Sequence, residues 1–170
     1  VHPASLIHPS LHPPPLLELL NIDISYDLVR YVTDHVASIT CYGMDWPSTR
    51  RSSLSRRANL FSFISHVLIT ANIQTPGLLV TLSYIDKAKL FLQVSNDLWA
   101  CERVFLGALI LAHKYCNDHT MKNMYWSRCT GVFGKRDVGI IEREFLQVLD
   151  YKLSFHESDL LSHHSAIMSL

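Results

Sequence analysis

From Ser25 the apolar side chains fall at Leu28, Tyr31, Val32, Val36 and Ile39, with His35 on the same face. Spacing by threes and fours predicts an amphipathic helix of about four turns. Asn59 to Ile73 repeats the pattern, with Leu60, Phe61, Ile64, Val67, Leu68 and Ala71 on a broad apolar face. Thr75-Pro76 then reads as an N-cap followed by a first-turn proline, whose fixed φ and missing donor suit a helix start. The helix opened there runs to about Leu92, and another, capped at Asn96 or Asp97, runs to about Cys116. Both are apolar on nearly every side, which places them in the middle of a bundle. Asn117-Asp118 ends the second. A shorter helix is predicted from Met121 to Cys129, Gly131 and Gly134 break the chain, and Asp137 caps a helix to about Asp150. A last, weaker helix spans Ser158 to Met168. No alternating run is long enough for a sheet. The predicted fold is all-α, five core helices with extra N- and C-terminal ones.

Two stretches interrupt this pattern. Tyr42 to Arg57 is polar and carries Gly43 and Pro47, so a loop is expected. Its Arg50, Arg51, Arg56 and Arg57 alternate with Ser52, Ser53 and Ser55. Such a cluster reads first as a solvated loop and second as an acceptor of phosphate from a basophilic kinase. Five prolines (Pro3, Pro9, Pro13, Pro14 and Pro15) crowd the first fifteen residues. Each removes a backbone donor and disfavours helix in the residue before it, so an extended tail is expected, docking in a partner's aromatic groove being the second reading. The chain therefore divides into a proline-rich arm (1–24), an N-terminal helix with a basic loop (25–57), a helical core (58–153) and a C-terminal helix (154–170).

Composition narrows the chemistry. Hydrophobic residues make up 48% and charged ones 18%, which argues against disorder. Fifteen basic residues balance fifteen acidic ones, so the basic surplus of a nucleic-acid binder is missing. No window of 18 uncharged apolar residues predicts a membrane span. The first residues do not form a basic-then-apolar leader, and the four cysteines form no CxxC pair, so reduced thiols and a place in nucleus and cytoplasm are expected. His113, Cys116 and His119 lie three apart with Cys129 nearby, but a zinc site needs four convergent ligands and these belong to a core helix and its end. No metal and no cofactor is expected. No nucleophile is paired with a base, and Gly131-Val132-Phe133-Gly134 is too short to cradle a phosphate, so the chain does not read as an enzyme.

Two charges stand out in the apolar helices. Lys114 closes the run Leu106-Gly107-Ala108-Leu109-Ile110-Leu111-Ala112-His113, and Glu142 sits among Ile140, Ile141, Phe145 and Leu146. A buried lone charge is costly, so these two either pair as a plain salt bridge at the core's edge or meet the polar groups of a partner. In the second case they hold the unpaired backbone groups of another protein's helix while the leucines around them cover its apolar face.

Thr75-Pro76-Gly77-Leu78-Leu79-Val80-Thr81-Leu82-Ser83-Tyr84-Ile85-Asp86-Lys87, the helix from Arg103 to Asp118, and Ile141-Glu142-Arg143-Glu144-Phe145-Leu146 together resemble the cyclin box, in that order and at that spacing. The resemblance is strongest to the fungal Pcl-type cyclins, which carry one box and activate a multifunctional kinase related to the neuronal cyclin-dependent kinase. It implies a cyclin-box five-helix bundle and a non-enzymatic subunit that binds and activates a cyclin-dependent protein kinase. In that family the third and fifth box helices grip the kinase's regulatory helix. By resemblance Lys114 and Glu142 are the paired charges that hydrogen-bond the kinase backbone. Leu111, Tyr115, Leu146 and Leu153 fall where cyclins form an apolar pocket for a kinase isoleucine, and Tyr151 at a further contact position. Arg57 and Asp86 fall where cyclins place an internal ion pair.

There are departures from the pattern. Many cyclins open the first box helix with Met-Arg-Ala-Ile-Leu, a patch that docks substrate motifs. Here Arg56-Arg57-Ala58-Asn59-Leu60 stands in its place, with Phe63 for the family's Trp, so that dock is not expected and kinase substrates must use a surface left unlocated. The alternative reading is a cyclin-fold scaffold or transcription-type adaptor binding a peptide or nucleic acid, against which the neutral charge weighs.

Overall fold

A computed structural model describes residues 6, 8, 11, 13–44, 50–93 and 99–170, without the side chains of 43, 44 and 50–54. The described residues form helices α1 (Pro14–Leu20), α2 (Tyr26–Met44), α3 (Arg50–Thr70), α4 (Thr75–Ala88), α5 (Ala100–Cys116), α6 (Asn123–Thr130), α7 (Lys135–Val148), α8 (Glu157–Leu161) and α9 (His164–Met168), and no strand. The all-α bundle expected from the periodicity is what forms: α3 to α7 make the core and the remaining helices flank it.

Helix α2 begins where its hydroxyl cap stands, since Ser25 Oγ accepts the Leu28 amide at 3.1 Å. Leu28, Val32, Val36 and Ile39 are buried. The two buried threonines on this helix satisfy themselves locally, Thr33 donating to the Val29 carbonyl and Thr40 to that of Val36, both at 2.8 Å. Helices α4 and α5 lie innermost. Leu78, Leu79, Leu82, Tyr84 and Ile85 of α4 and Phe105, Leu106, Leu109 and Ile110 of α5 are all at most 1% exposed, so they cover both flanks of each helix. Burying each such side chain stabilises the fold by about 1.5–3 kcal/mol relative to exposure. Helix α5 packs on α4 and α7, α2 closes one side with α3, and α1 rests on α4, α8 and α9.

The approach of α5 to α7 depends on Gly107. A Cβ there would stand 2.8 Å from Phe145 Cβ and 2.9 Å from its Cγ, inside van der Waals contact. Glycine matters for a second reason at Gly131, which ends α6 in the left-handed region at φ 67°. Helix α7 starts with Asp137 Oδ2 accepting the Gly134 amide at 3.0 Å. It ends in two consecutive left-handed residues, Asp150 (φ 51°) and Tyr151 (φ 57°), held by the Tyr151 amide donating to the Leu146 carbonyl at 2.9 Å. The segment that follows is pinned to α4. Tyr84 Oη donates to the Leu153 carbonyl at 2.7 Å, and Lys87 Nζ reaches the Ser154 carbonyl at 2.7 Å and Asp159 at 2.8 Å.

Several boundaries differ from expectation for physical reasons. Residues 14–20 are a helix, not part of an extended arm. Pro14 and Pro15 occupy its first two positions, whose amides need no acceptor within the helix, and Leu19 is fully buried. The expected loop from Tyr42 to Arg57 is helix on both sides, α2 continuing to Met44 and α3 starting at Arg50. The cap at Asn96 or Asp97 lies outside the described residues. Thr75 does not cap α4. It is the first helical residue after Gln74, and its hydroxyl donates to the Ile22 carbonyl, fastening the N-terminal segment to the core. The last helix is split in two at Ser162 and His163. His163, at that break, is buried.

Candidate functional site

Lys114 stands in the last turn of α5 and Glu142 in the middle of α7. The close packing allowed by Gly107 brings the two helices within reach, and Lys114 Nζ donates to Glu142 Oε1 at 2.7 Å. A third residue closes the figure. Asn123, first in α6, accepts from Lys114 Nζ through Oδ1 at 3.1 Å and donates through Nδ2 to Glu142 Oε2 at 3.1 Å. The pair is neither immersed nor free in water, with side chains 28% and 17% exposed.

The triangle leaves capacity for a partner. An ammonium has three donors, of which these contacts use two, and a carboxylate has about four acceptor positions, of which they use two. The site can therefore donate to a carbonyl and accept from an amide lying across it. That is what the frayed end or distorted turn of another helix presents.

Around it the other residues singled out from sequence take graded positions. Leu111 is buried, 3% exposed, and lies beneath the surface of α5. Tyr115, next along α5, is 51% exposed and packs edge-on against Phe155 at 5.9 Å between ring centroids. Leu146 is half-buried one turn beyond Glu142, and its carbonyl holds the amide of Tyr151, whose side chain is 65% exposed. Leu153 is half-buried, its backbone fixed by Tyr84. Charged centre, leucines and exposed tyrosines thus come from α5, α7 and the pinned segment after α7.

The expected pair of Arg57 with Asp86 does not form. Arg57 bonds Asp34 at 2.9 Å on the surface, with both side chains about half exposed. Asp86 faces His35 of α2 at 2.6 Å and His163 at 2.9 Å, which occupy the place expected of the arginine. Burial alone would raise the Asp86 carboxyl, but its contacts with His163 and His35 hold it well below the usual carboxylate range. Arg56, Arg57, Ala58 and Asn59 are exposed while Leu60 and Phe63 point into the core, so the start of the first box helix presents a polar face.

His113, Cys116 and His119 do not converge. His113 lies edge-on to Trp126 at 5.5 Å, while Cys116 and His119 are exposed. Burial, and then the neighbouring Lys114 charge, lower His113 below the ordinary imidazole value. Asn123 was not legible from sequence. Its only signal is a polar residue opening a helix, which is common at any helix start.

Residues 30–154 match the family model for the cyclin N-terminal domain. In Saccharomyces cerevisiae, PHO85 cyclin-1 is 31% identical over 149 residues, covering 84% of this chain and 53% of that protein. PHO85 cyclin-2 is 36% identical over 152 residues and PHO85 cyclin-9 is 32% identical over 149, each covering 86% of this chain and 48% of the relative. The chain thus spans about half the length of the curated relatives it matches. With a domain match over most of its length and a five-helix core built as the motifs required, the chain belongs to the cyclin family.

Proposed function

We propose that this chain is a regulatory cyclin subunit that binds a cyclin-dependent protein kinase of the type partnered by the PHO85 cyclins and switches it on. The observation that carries this reading is the part-exposed Lys114–Asn123–Glu142 triangle, with exposed Tyr115 next to Lys114 along α5 and exposed Tyr151 held by its amide to Leu146, one turn beyond Glu142. A purely structural ion pair needs no such surroundings, whereas a partner helix needs both the polar anchor and apolar neighbours. The chain acts without chemistry of its own. It holds the kinase's regulatory helix inward so that the kinase's catalytic Lys–Glu pair can form.

Truncating a hydrogen-bonded charge at such an interface typically costs about 2–5 kcal/mol of binding, roughly 30-fold to several thousand-fold in affinity. The test is a pull-down and activity assay with purified cyclin-dependent kinases, comparing wild type with Lys114→Ala/Glu142→Ala. One kinase should bind and gain activity with the wild type. The double variant should keep its helical circular dichroism and lose both. If no kinase binds the folded wild type, the activator reading fails and a scaffold role takes its place.

A further inference from the structure

Apart from the charged triangle, one polar cluster sits between helices that take no part in it. His35 of α2, Asp86 of α4 and His163, the residue preceding α9, meet with their ligand-bearing atoms all within 4.8 Å of one another. Each imidazole approaches a different carboxylate oxygen through Nε2, His35 at 2.6 Å and His163 at 2.9 Å. The two rings stand at 90° with centroids 5.1 Å apart, so their nitrogens reach the carboxylate from two directions.

Three features go beyond a proton-bridged cluster. His163 is only 4% exposed, yet its Nε2, although near Asp86, lacks an aligned hydrogen bond. The nitrogen is thus close to the carboxylate at 2.9 Å but imperfectly aligned with it, and an ion between the two would satisfy both. The other ring nitrogen is already held, since His163 Nδ1 lies 2.8 Å from Tyr31 Oη. A metal-bound histidine is held in this way, its second nitrogen donating to a fixed acceptor that sets tautomer and ring angle. Finally, His35 and Asp86 are part-exposed, at 24% and 37%, which gives an ion a way in.

Two imidazole nitrogens and one carboxylate oxygen are the donor set of three-ligand zinc sites, with a fourth position left for water. Ligands about 2.0–2.2 Å from zinc stand ~3.3–3.5 Å apart in a tetrahedron; the donor atoms here all lie within 4.8 Å of one another, so side-chain shifts on the order of 1 Å bring one carboxylate oxygen and both nitrogens to that spacing. We propose that His35, Asp86 and His163 form a divalent transition-metal site, fitted to zinc, that fastens α9 to α2 and α4. The role is structural: the ion replaces the protons between the three side chains and locks the C-terminal helices onto the bundle. It is independent of the kinase reading.

The experiment is a titration of chelator-treated protein with Co²⁺, followed by displacement with Zn²⁺. Wild type should bind one Co²⁺ per chain, with ligand-field absorption and no sulfur-to-cobalt charge-transfer band, and zinc should raise its melting temperature. His35→Gln, at a part-exposed position, should fold normally and lose at least about tenfold in affinity, the lower range of what even supporting groups contribute at metal sites. Asp86→Asn should do the same. His119→Gln, at an exposed imidazole outside the cluster, should bind like wild type. Absence of stoichiometric binding, unchanged affinity in His35→Gln, or a sulfur charge-transfer band assigning the metal to one of the free cysteines would each overturn the proposal.

Discussion

The clearest quantitative consequence of the packing concerns Gly107, because two opposed effects meet there and geometry decides the sign. Replacing a mid-helix glycine by alanine ordinarily stabilises a helix by roughly 0.5–1 kcal/mol, as the unfolded chain loses conformational freedom. At Gly107 the added methyl would stand 2.8, 2.9 and 3.0 Å from Cβ, Cγ and Cδ2 of Phe145. Cβ is the root of that side chain and cannot swing away, so α5 and α7 must move apart. Overpacking of this kind costs about 1–3 kcal/mol, and the upper half of that range applies because the clash is with the least movable atom. Gly107→Ala should therefore lower stability by about 2 kcal/mol in urea denaturation. Gly77→Ala is the matched control, since its methyl would meet only Ile73 Cγ2 at 3.7 Å, an ordinary contact. It should leave stability unchanged or raise it by up to about 1 kcal/mol. Because α5 and α7 carry Lys114 and Glu142, spreading them should also weaken the proposed kinase binding without touching either charge. A Gly107→Ala protein as stable as wild type would refute the reasoning, for the close approach would then be easily relaxed.

Tyr84→Phe removes a fully buried hydroxyl that donates to the Leu153 carbonyl at 2.7 Å, leaving that acceptor without its donor; a loss of about 1–2 kcal/mol in urea denaturation is expected, and no loss would show that water replaces it. The Asp159 carboxyl is held below the usual range, first by Lys87 and then by the His156 amide, so its contribution is present above the unfolded value near 3.9 and disappears as the pH falls through the lower folded value. Asp159→Asn should thus be less stable than wild type at pH 7, with the difference closing below about pH 4; parallel urea midpoints across that range would contradict it. Burial pushes the Cys101 thiol up to about 11, and Cys129 is buried, whereas Cys41 and Cys116 are exposed. Alkylation followed by mass spectrometry should mark Cys41 and Cys116 well before Cys101 and Cys129, and early labelling of Cys101 would show that α5 opens locally.

What could be foreseen from sequence follows from how local each determinant is. Helices α4 and α5 were legible because their apolar residues exceed one face, and a helix apolar all round has to lie inside. Lys114 and Glu142 were legible because a charge inside such a run demands a partner. Helix α1 is not foreseen because proline breaks a helix at interior positions, whereas at the first two positions it is compatible with a start. The Arg57–Asp86 pairing failed for a different reason. Asp86 is met by His35, 51 residues earlier, and by His163, 77 residues later, and nothing in the local pattern of either histidine announces that contact. Asn123 is the same kind of case, since its bonds to Lys114 and Glu142 depend on how α6 meets α5 and α7.

The triangle and the histidine cluster each hold part of the bundle in order by contacts within the chain. Lys114, Asn123 and Glu142 satisfy one another before any partner arrives, so the anchor is already ordered and a partner helix need not meet that entropy itself. The segment beside them lacks helical hydrogen bonds of its own, and Asp150 and Tyr151 hold strained backbone conformations. Its order comes from α4: Tyr84 and Lys87 fix Leu153 and Ser154, and Lys87 also fixes α8 through Asp159. Asp86, the residue between Tyr84 and Lys87, reaches the opposite way, to His35 of α2 and to His163 before α9. One turn of α4 therefore ties the segment bearing Tyr151 to the terminal helices. Variants in that turn should disturb the proposed kinase binding through the backbone of 151–155, although the turn holds none of the residues proposed to touch the kinase.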